Sequence, residues 1–399
     1  MRILFATTRG AGHVGPLIPF ARAAAAAGHD VLFAGPGSAG RAVRRGGFAF
    51  AAVGEPSAAE AERAWAPVWS PETSPGMLVV VQELFIGLHA RLALPGMLDV
   101  IRAWRPDVVV RETLEFASAL VAEREQIPQV RVGIHLDSDT DADLRLLGVA
   151  TPALDLLRPE IGLEPDPDAT AIRESPVLTL APASTSGAAG ALRFRDPAPE
   201  AAGELPEWGD PAAPLVYVSF GSEAAASHHF PGVYRRAALA LADLPVRTLV
   251  TIGERRDPAE LGLLPPSVRV ERWVSQAAVM PRASAMVGHG GSGSTLMALA
   301  AGVPIAFVPL FVDGPANAER VQALGAGIVA EDLARDVEAL LVRPRHRAAA
   351  RALAKEIAAL PPATDAVALL ERYASVRRRA TATAAPSIAI APATSAPAS

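Results

Sequence analysis

Two short segments of this chain carry the residue types that do chemistry. The first is His289-Gly290-Gly291-Ser292-Gly293-Ser294-Thr295, which follows the apolar run Ala285-Met286-Val287-Gly288 and leads into a helical pattern, Leu296 to Ala301. A glycine-rich turn opening a helix presents unpaired backbone N–H groups and the positive end of the helix dipole, an anion cradle best suited to phosphate. The Ser and Thr hydroxyls add donors, and His289 adds one from the strand end. A tight turn with a hydroxyl cap is the plainer alternative. It is disfavoured because so many small residues in a row cost helix propensity with no packing gain.

The second segment is Gly10-Ala11-Gly12-His13-Val14-Gly15, after the strand-like start Ile3–Thr8. It is formally a dinucleotide fingerprint, but that fold needs an acid at the end of the second strand to hold a ribose. Ala34-Gly35-Pro36 stands there, and Asp30 precedes the strand, so nicotinamide chemistry is set aside. His13 remains. It sits at the top of the first strand, facing a presumed cleft, with Pro16 opening the next helix. Imidazole alone titrates unassisted near neutrality, which suits proton abstraction. The same ring could instead cap the helix or satisfy a loop carbonyl.

Positioning such groups requires strands that end at one edge, and the chain alternates short apolar strands with helices. Leu17–Ala27 reads as a helix, Val31–Ala34 as a strand, Leu98–Trp104 as a helix end, Val108–Val110 as a strand, Phe116–Arg124 as a helix and Pro128–Val132 as a strand. Residues 55–97 break this rhythm and read as loops and helices inserted above the sheet. The Pro/Gly/Ala/Ser-rich stretch 182–214 is the linker candidate. The rhythm then restarts, with strands at Leu215–Ser219, Arg247–Ile252, Val268–Trp273, Ala283–Val287 and Ile305–Val308, and helices at Val233–Leu241, 346–359 and 364–378. This alternation predicts an α/β protein with parallel sheets covered on both faces. Two Rossmann-like α/β/α domains in tandem would hold a ligand in the cleft between the carboxyl ends of their sheets.

Length and composition agree. A chain of 399 residues divides into two ordinary domains, and 50% hydrophobic residues supply both cores. The net charge of −5 argues against nucleic acid, and the lack of cysteine excludes disulfides and thiolate zinc sites. No apolar run approaches the length of a spanning helix and no signal peptide is evident, so a soluble cytoplasmic protein without a membrane partner is expected, as monomer or homodimer. After residue 380 only Ala, Thr, Pro, Ser and Ile remain, which predicts a disordered tail over 380–399.

Several segments together, in order and from residue 1 to about 378, resemble the inverting GT-B glycosyltransferases that decorate polyketides, macrolides and other natural products. They are Gly12-His13-Val14-Gly15-Pro16-Leu17, Val218-Ser219-Phe220-Gly221-Ser222, Arg272-Trp273-Val274-Ser275-Gln276, the His289–Thr295 segment, Ala301-Gly302-Val303-Pro304 and Asp313-Gly314-Pro315-Ala316-Asn317-Ala318-Glu319-Arg320. The resemblance implies an acceptor-binding domain over 1–205, a nucleotide-sugar domain over 206–361, and a helix at 362–379 packing back on the first domain.

It also implies roles. Trp273 would stack on the nucleobase, with Val274 and Gln276 reading its edge; a surface Trp at a strand end could instead be packing. Gly221 and Ser222 would join His289, Gly291, Ser292, Gly293, Ser294 and Thr295 around the diphosphate, with Asp313 and Gly314 at the sugar. Such donors neutralise a leaving diphosphate without a metal, and no cofactor beyond the nucleotide-sugar cosubstrate is called for. His13 would be the base, oriented by a carboxylate just past the strand ending at Val110-Arg111. Glu112 fits that place best, although many relatives carry Asp there. It could also be an exposed acid at a helix N-terminus. Gly12, Trp65, Trp69, Met77, Phe85 and Leu136 are candidates to line an apolar acceptor pocket, or are ordinary core.

The departures are informative. Many relatives follow the Asp of the late motif with Gln, whereas Gly314 stands here, which predicts a deoxygenated hexose or one with unusual hydroxyl geometry. Met297 occupies the place where plant relatives hold a ribose with Glu, which favours dTDP over UDP. The competing readings are a non-catalytic glycosyltransferase-like helper and a GT-B nucleotide-sugar epimerase.

Overall fold

The computed structural model describes residues 1–69, 79–136, 140–186, 190–197, 204–311 and 313–383. Its strands fall into two wholly parallel sheets. The first contains β1 (Arg2–Ala6), β2 (Asp30–Pro36), β3 (Ala49–Val53), β4 (Val108–Glu112), β5 (Gln129–Val132), β6 (Val177–Thr179) and β7 (Leu192–Arg193), ordered β3-β2-β1-β4-β5-β6-β7. The second contains β8 (Leu215–Ser219), β9 (Arg247–Thr251), β10 (Val268–Glu271), β11 (Ala285–Gly288), β12 (Ile305–Phe307) and β13 (Gly327–Val329), ordered β10-β9-β8-β11-β12-β13. The central strands are continuous apolar runs such as Ile3-Leu4-Phe5-Ala6, all fully buried, because helices cover both faces. Two apolar clusters flank each sheet.

Each sheet order reverses direction at one place, between β1 and β4 in the first and between β8 and β11 in the second. Loops leaving adjacent strands at such a switch diverge to opposite faces and open a crevice at the carboxyl edge. The register there is Ala6 opposite Arg111 and Ser219 opposite Gly288. His13 and Glu112 therefore follow the two strands of one crevice, and Gly221 and His289 those of the other.

Several expectations need correction. The linker 182–214 contains β7, which adds the seventh strand to the first sheet. Strands β3, β6 and β13 were not foreseen; β6 and β13 have three residues each, and the small residues of Ala49–Val53 give weak alternation. The inserted region is mostly helical: Ala58–Trp69, then a π-wound stretch Val80–Ala90 running on as the α-helix Arg91–Trp104. Val80–Trp104 is long and apolar enough to cross a membrane by length and composition, contrary to the sequence reading, yet half of its most apolar window is buried inside the protein. The last helix spans Ala366–Thr383, so the tail expected from 380 begins in helix, and 384–399 lie outside the described residues. That helix does not sit on the second sheet. Ala366, Leu369, Leu370 and Ala374 join the cluster of Ile3, Phe5, Leu17 and Phe20 on the first. A bridge from Arg195 to Pro362 holds the chain where it crosses back.

Candidate active site

His13 is presented by the short helix Ala11–Val14, which starts at Gly10 with φ 98, a left-handed value that a side chain resists. Its Nδ1 lies 3.0 Å from Glu112 Oε1. Glu112 is the last residue of β4 and is completely buried, so the alternative of an exposed helix-terminal acid fails. The same Oε1 accepts from the Thr8 hydroxyl at 2.8 Å and from the Thr8 N–H at 3.3 Å, and Oε2 accepts from the Leu114 N–H at 2.7 Å. Burial alone would raise this carboxyl, but the His13 ring and these donors overcome it and hold the pKa below the usual carboxylate value. Glu112 thus stays ionised and takes the Nδ1 hydrogen of His13. With Nδ1 donating to Glu112, Nε2 is the ring position left to take a proton. Buried Arg111 steadies the loop by donating to the carbonyls of Glu112, Thr113 and Glu115.

In the second lobe, the helix Ser292–Ala300 begins after Gly291 with no side chain bonded to its first-turn amides. Gly221, Gly291 and His289 pack in direct contact. A Cβ at Gly221 would lie 2.9 Å from His289 Cε1, and one at Gly291 would lie 2.5 Å from Nε2. Burial pushes the His289 pKa down to about 4, so the ring is neutral at pH 7, and its buried Nδ1 has no partner among the described residues. Ser222 follows Gly221 in the helix Gly221–Ala226. Gly293 has open space around its Cα, and Thr295 is buried. Gln276 donates to Ser294 Oγ at 3.2 Å, tying the edge of the crevice to the glycine turn. Val274 packs partly against the second core. Trp273 is 56% exposed, which rules out plain packing, and the Arg45 guanidinium of the first lobe sits 5.8 Å from its ring centroid.

Asp313 is enclosed more tightly than the sequence suggested. Its Oδ2 accepts from Ser292 Oγ and from Asn317 Nδ2, both at 2.8 Å, and lies 3.7 Å from His135 Nδ1 of the first lobe. Burial would raise its pKa, but the His135 and Ser292 hydrogen bonds and the charge of His135 bring it down to about 2. Neither His135 nor Asn317 was foreseen as a site residue. Asn317 was legible in principle, since it stands one helical turn after Asp313; His135 reaches across the crevice from distant sequence. Gly314 is not merely a missing amide: a Cβ there would lie 2.4 Å from the His289 carbonyl oxygen.

The acceptor candidates separate. Phe85 sits beside the dyad, its ring centroid 5.6 Å from that of His13, and Trp65 meets Phe85 edge-on at 5.6 Å. Gly12 is exposed next to His13, with nothing near its Cα. Leu136 is a correction: it is completely buried among second-lobe core residues and presents no surface to a ligand. Trp69 ends its helix, and Met77 lies outside the described residues. Among the described residues, no group of three or more His, Asp or Glu is placed to hold a metal ion.

Comparison with known proteins agrees with this architecture. Residues 237–372 match the family described as erythromycin biosynthesis protein CIII-like, C-terminal domain. The chain is 32% identical to L-demethylnoviosyl transferase of Streptomyces niveus, over 94% of this chain and 99% of that protein. It is also 32% identical to the elloramycin glycosyltransferase ElmGT of Streptomyces olivaceus, over 93% and 97%. Among solved structures it resembles the glycosyltransferase SnogD of Streptomyces nogalater, with a TM-score of 0.75, 30% identity and coverage of 94% and 99%. It resembles VinC in complex with dTDP at a TM-score of 0.77 and 25% identity, over 94% and 100%. With two switch-point crevices, a His paired with a buried carboxylate in one and a glycine-turn cradle in the other, the chain belongs to the natural-product glycosyltransferases of GT-B fold.

Proposed function

We propose that this enzyme transfers a deoxyhexose from a dTDP-sugar to a hydroxyl of an apolar natural-product aglycone, with inversion and His13 as general base. The observation that carries this reading is the 3.0 Å contact between His13 Nδ1 and buried Glu112, which leaves Nε2 free to accept a proton. The acceptor O–H gives its proton to Nε2, its oxygen bonds to the anomeric carbon, and the bond to the nucleoside diphosphate breaks. A single displacement of this kind inverts the carbon. Glu112 stabilises the imidazolium as it forms. The first-turn amides of the helix Ser292–Ala300 and the neutral His289 would meet the charge growing on the diphosphate. Trp273 offers an exposed ring for the base.

Two expected results test the reading. Glu112→Gln keeps shape but forces His13 to find another partner for Nδ1, and should lower kcat on the order of 10³-fold. Initial rates between pH 6 and 9 would measure it, and a variant within a few-fold of wild type would remove Glu112 from the mechanism. The donor preference is tested by calorimetric titration with dTDP and UDP. Met297 offers no acceptor for a ribose 2′-hydroxyl, so burying that group unpaired should weaken UDP by about 1–3 kcal/mol. Tighter UDP binding would overturn the preference.

A further inference from the structure

Ion pairs join the two lobes across the cleft in matching strand order. Past β5 and β12, His135 meets Asp313. Past β1 and β8, Arg9 Nη2 lies 3.8 Å from Glu223 Oε2. At the end of the cleft where Trp273 stands, the first-lobe helix Gly40–Arg45, beyond β2, faces Glu254 beyond β9 and Trp273 beyond β10. Arg45 Nη2 lies 2.6 Å from Glu254 Oε1, and Arg41 Nη2 lies 2.9 Å from Glu254 Oε2. Four residues apart, the two arginines share one face of their helix. Each takes one oxygen of the same carboxylate.

Arg45 has a second partner. Its guanidinium lies over the Trp273 ring, 5.8 Å from the centroid. A planar group inserted between the two would need roughly 7 Å, two contact layers of about 3.5 Å each. Guanidinium and stacked base therefore exclude one another on that face of the indole. Neighbouring charges stay within their own lobes: Arg44 lies over Phe50, and Arg272 pairs with Asp257. Arg41 and Arg45 instead cross the cleft, and they do so at the residue that offers its ring to a nucleobase.

We infer that Arg45 holds one stacking face of Trp273 in the manner of a nucleobase, with Glu254 and Arg41 as its latch, so that a nucleotide must displace a first-lobe arginine to bind. The inference rests on the nucleotide-sugar reading above and adds to it a positioning role for first-lobe residues in donor binding. The exchange is between like partners, since a planar guanidinium and a planar base both stack on an indole. An exposed ion pair and an exposed cation–π contact are each worth about two- to fivefold in an equilibrium. The latch is therefore light enough for a nucleotide to open.

The test measures binding of dTDP, thymidine and inorganic pyrophosphate by calorimetry to wild type, Arg45→Ala, Arg45→Lys and Glu254→Gln. Arg45→Ala should bind dTDP about three- to tenfold more tightly. Thymidine carries the base without charge and should gain by the same factor. Pyrophosphate has no base, and loss of a nearby cation should leave it unchanged or weaker. Glu254→Gln loosens the latch and should show the same pattern in smaller measure. Arg45→Lys keeps the ion pair but not the planar face, and should fall between wild type and Arg45→Ala. Salt screens exposed pairs, so raising it should tighten thymidine binding to wild type and not to Arg45→Ala. Unchanged or weaker binding of dTDP by Arg45→Ala, or an equal gain for pyrophosphate, would overturn the inference. Failure of dTDP to bind any of the four proteins would instead overturn the nucleotide-sugar reading itself.

Discussion

His13→Ala should lower the rate of sugar transfer by about 10²–10⁴-fold while leaving nucleotide-sugar affinity nearly unchanged. The two effects separate because His13 belongs to the first-lobe crevice, where it contacts Glu112 and Phe85, whereas the glycine turn and Trp273 belong to the second. Removing the ring takes away the leading influence that holds the Glu112 pKa down against burial, but Thr8 and Leu114 still hold the carboxyl group, so the pocket should keep its shape. An alcohol at neutral pH is a weak nucleophile, and nothing else described beside Phe85 offers a free basic nitrogen. His89 cannot substitute, since its Nε2 is occupied by Trp65. Single-turnover measurements with saturating donor, paired with calorimetry of dTDP binding, give both numbers. Retained turnover would show that the proton leaves by another route.

The second large effect is expected from Gly314→Gln, the change that would restore the amide found in many relatives. Restoration should fail. A Cβ at Gly314 would lie 2.4 Å from the His289 carbonyl oxygen, and one at Gly290, where φ is 92, would lie 2.4 Å from the Gly314 carbonyl oxygen. The two backbones touch, so any side chain must push the glycine turn away from Asp313. Overpacking of this kind costs about 1–3 kcal/mol, and the displacement falls on His289 and on the Ser292 bond to Asp313. Denaturant unfolding should report the loss of stability, and dTDP-sugar KM should rise on the order of tenfold or more. A Gly314→Gln enzyme that is stable and gains activity with a fully hydroxylated hexose would show that the close approach is not a constraint.

Gly314 also illustrates what was legible in the sequence. Its identity could be read as a lost hydrogen-bonding group; that it is a point of backbone contact with Gly290 could not, because the partner lies a full strand and helix away. The strand–helix alternation exposed both sheets, since buried parallel strands are continuous apolar runs and Ile3–Ala6 or Val216–Val218 cannot be mistaken. Strands β6, β7 and β13 escaped because two or three residues leave no period to detect, and β3 because four of the five residues of Ala49-Phe50-Ala51-Ala52-Val53 are small and apolar without alternation. His13 and Glu112 could be named because each ends or follows a recognisable central strand. Arg45 and His135 could not, since their significance depends on a Trp273 ring and an Asp313 carboxylate brought to them by the fold. Leu136 was misread because an apolar residue in a loop looks the same whether it faces a ligand or the other lobe.

The return of the chain's end to the first sheet has a consequence for biogenesis. Leu369, Leu370 and Ala374 complete an apolar layer whose other members, Ile3, Phe5 and Phe20, leave the ribosome hundreds of residues earlier. During synthesis the front half must wait, with that layer uncovered, until translation is nearly finished. The rear half has no such debt and can close as soon as it emerges. Chimeras joining the front of one relative to the rear of another should therefore inherit their final twenty or so residues from the parent that supplied the front.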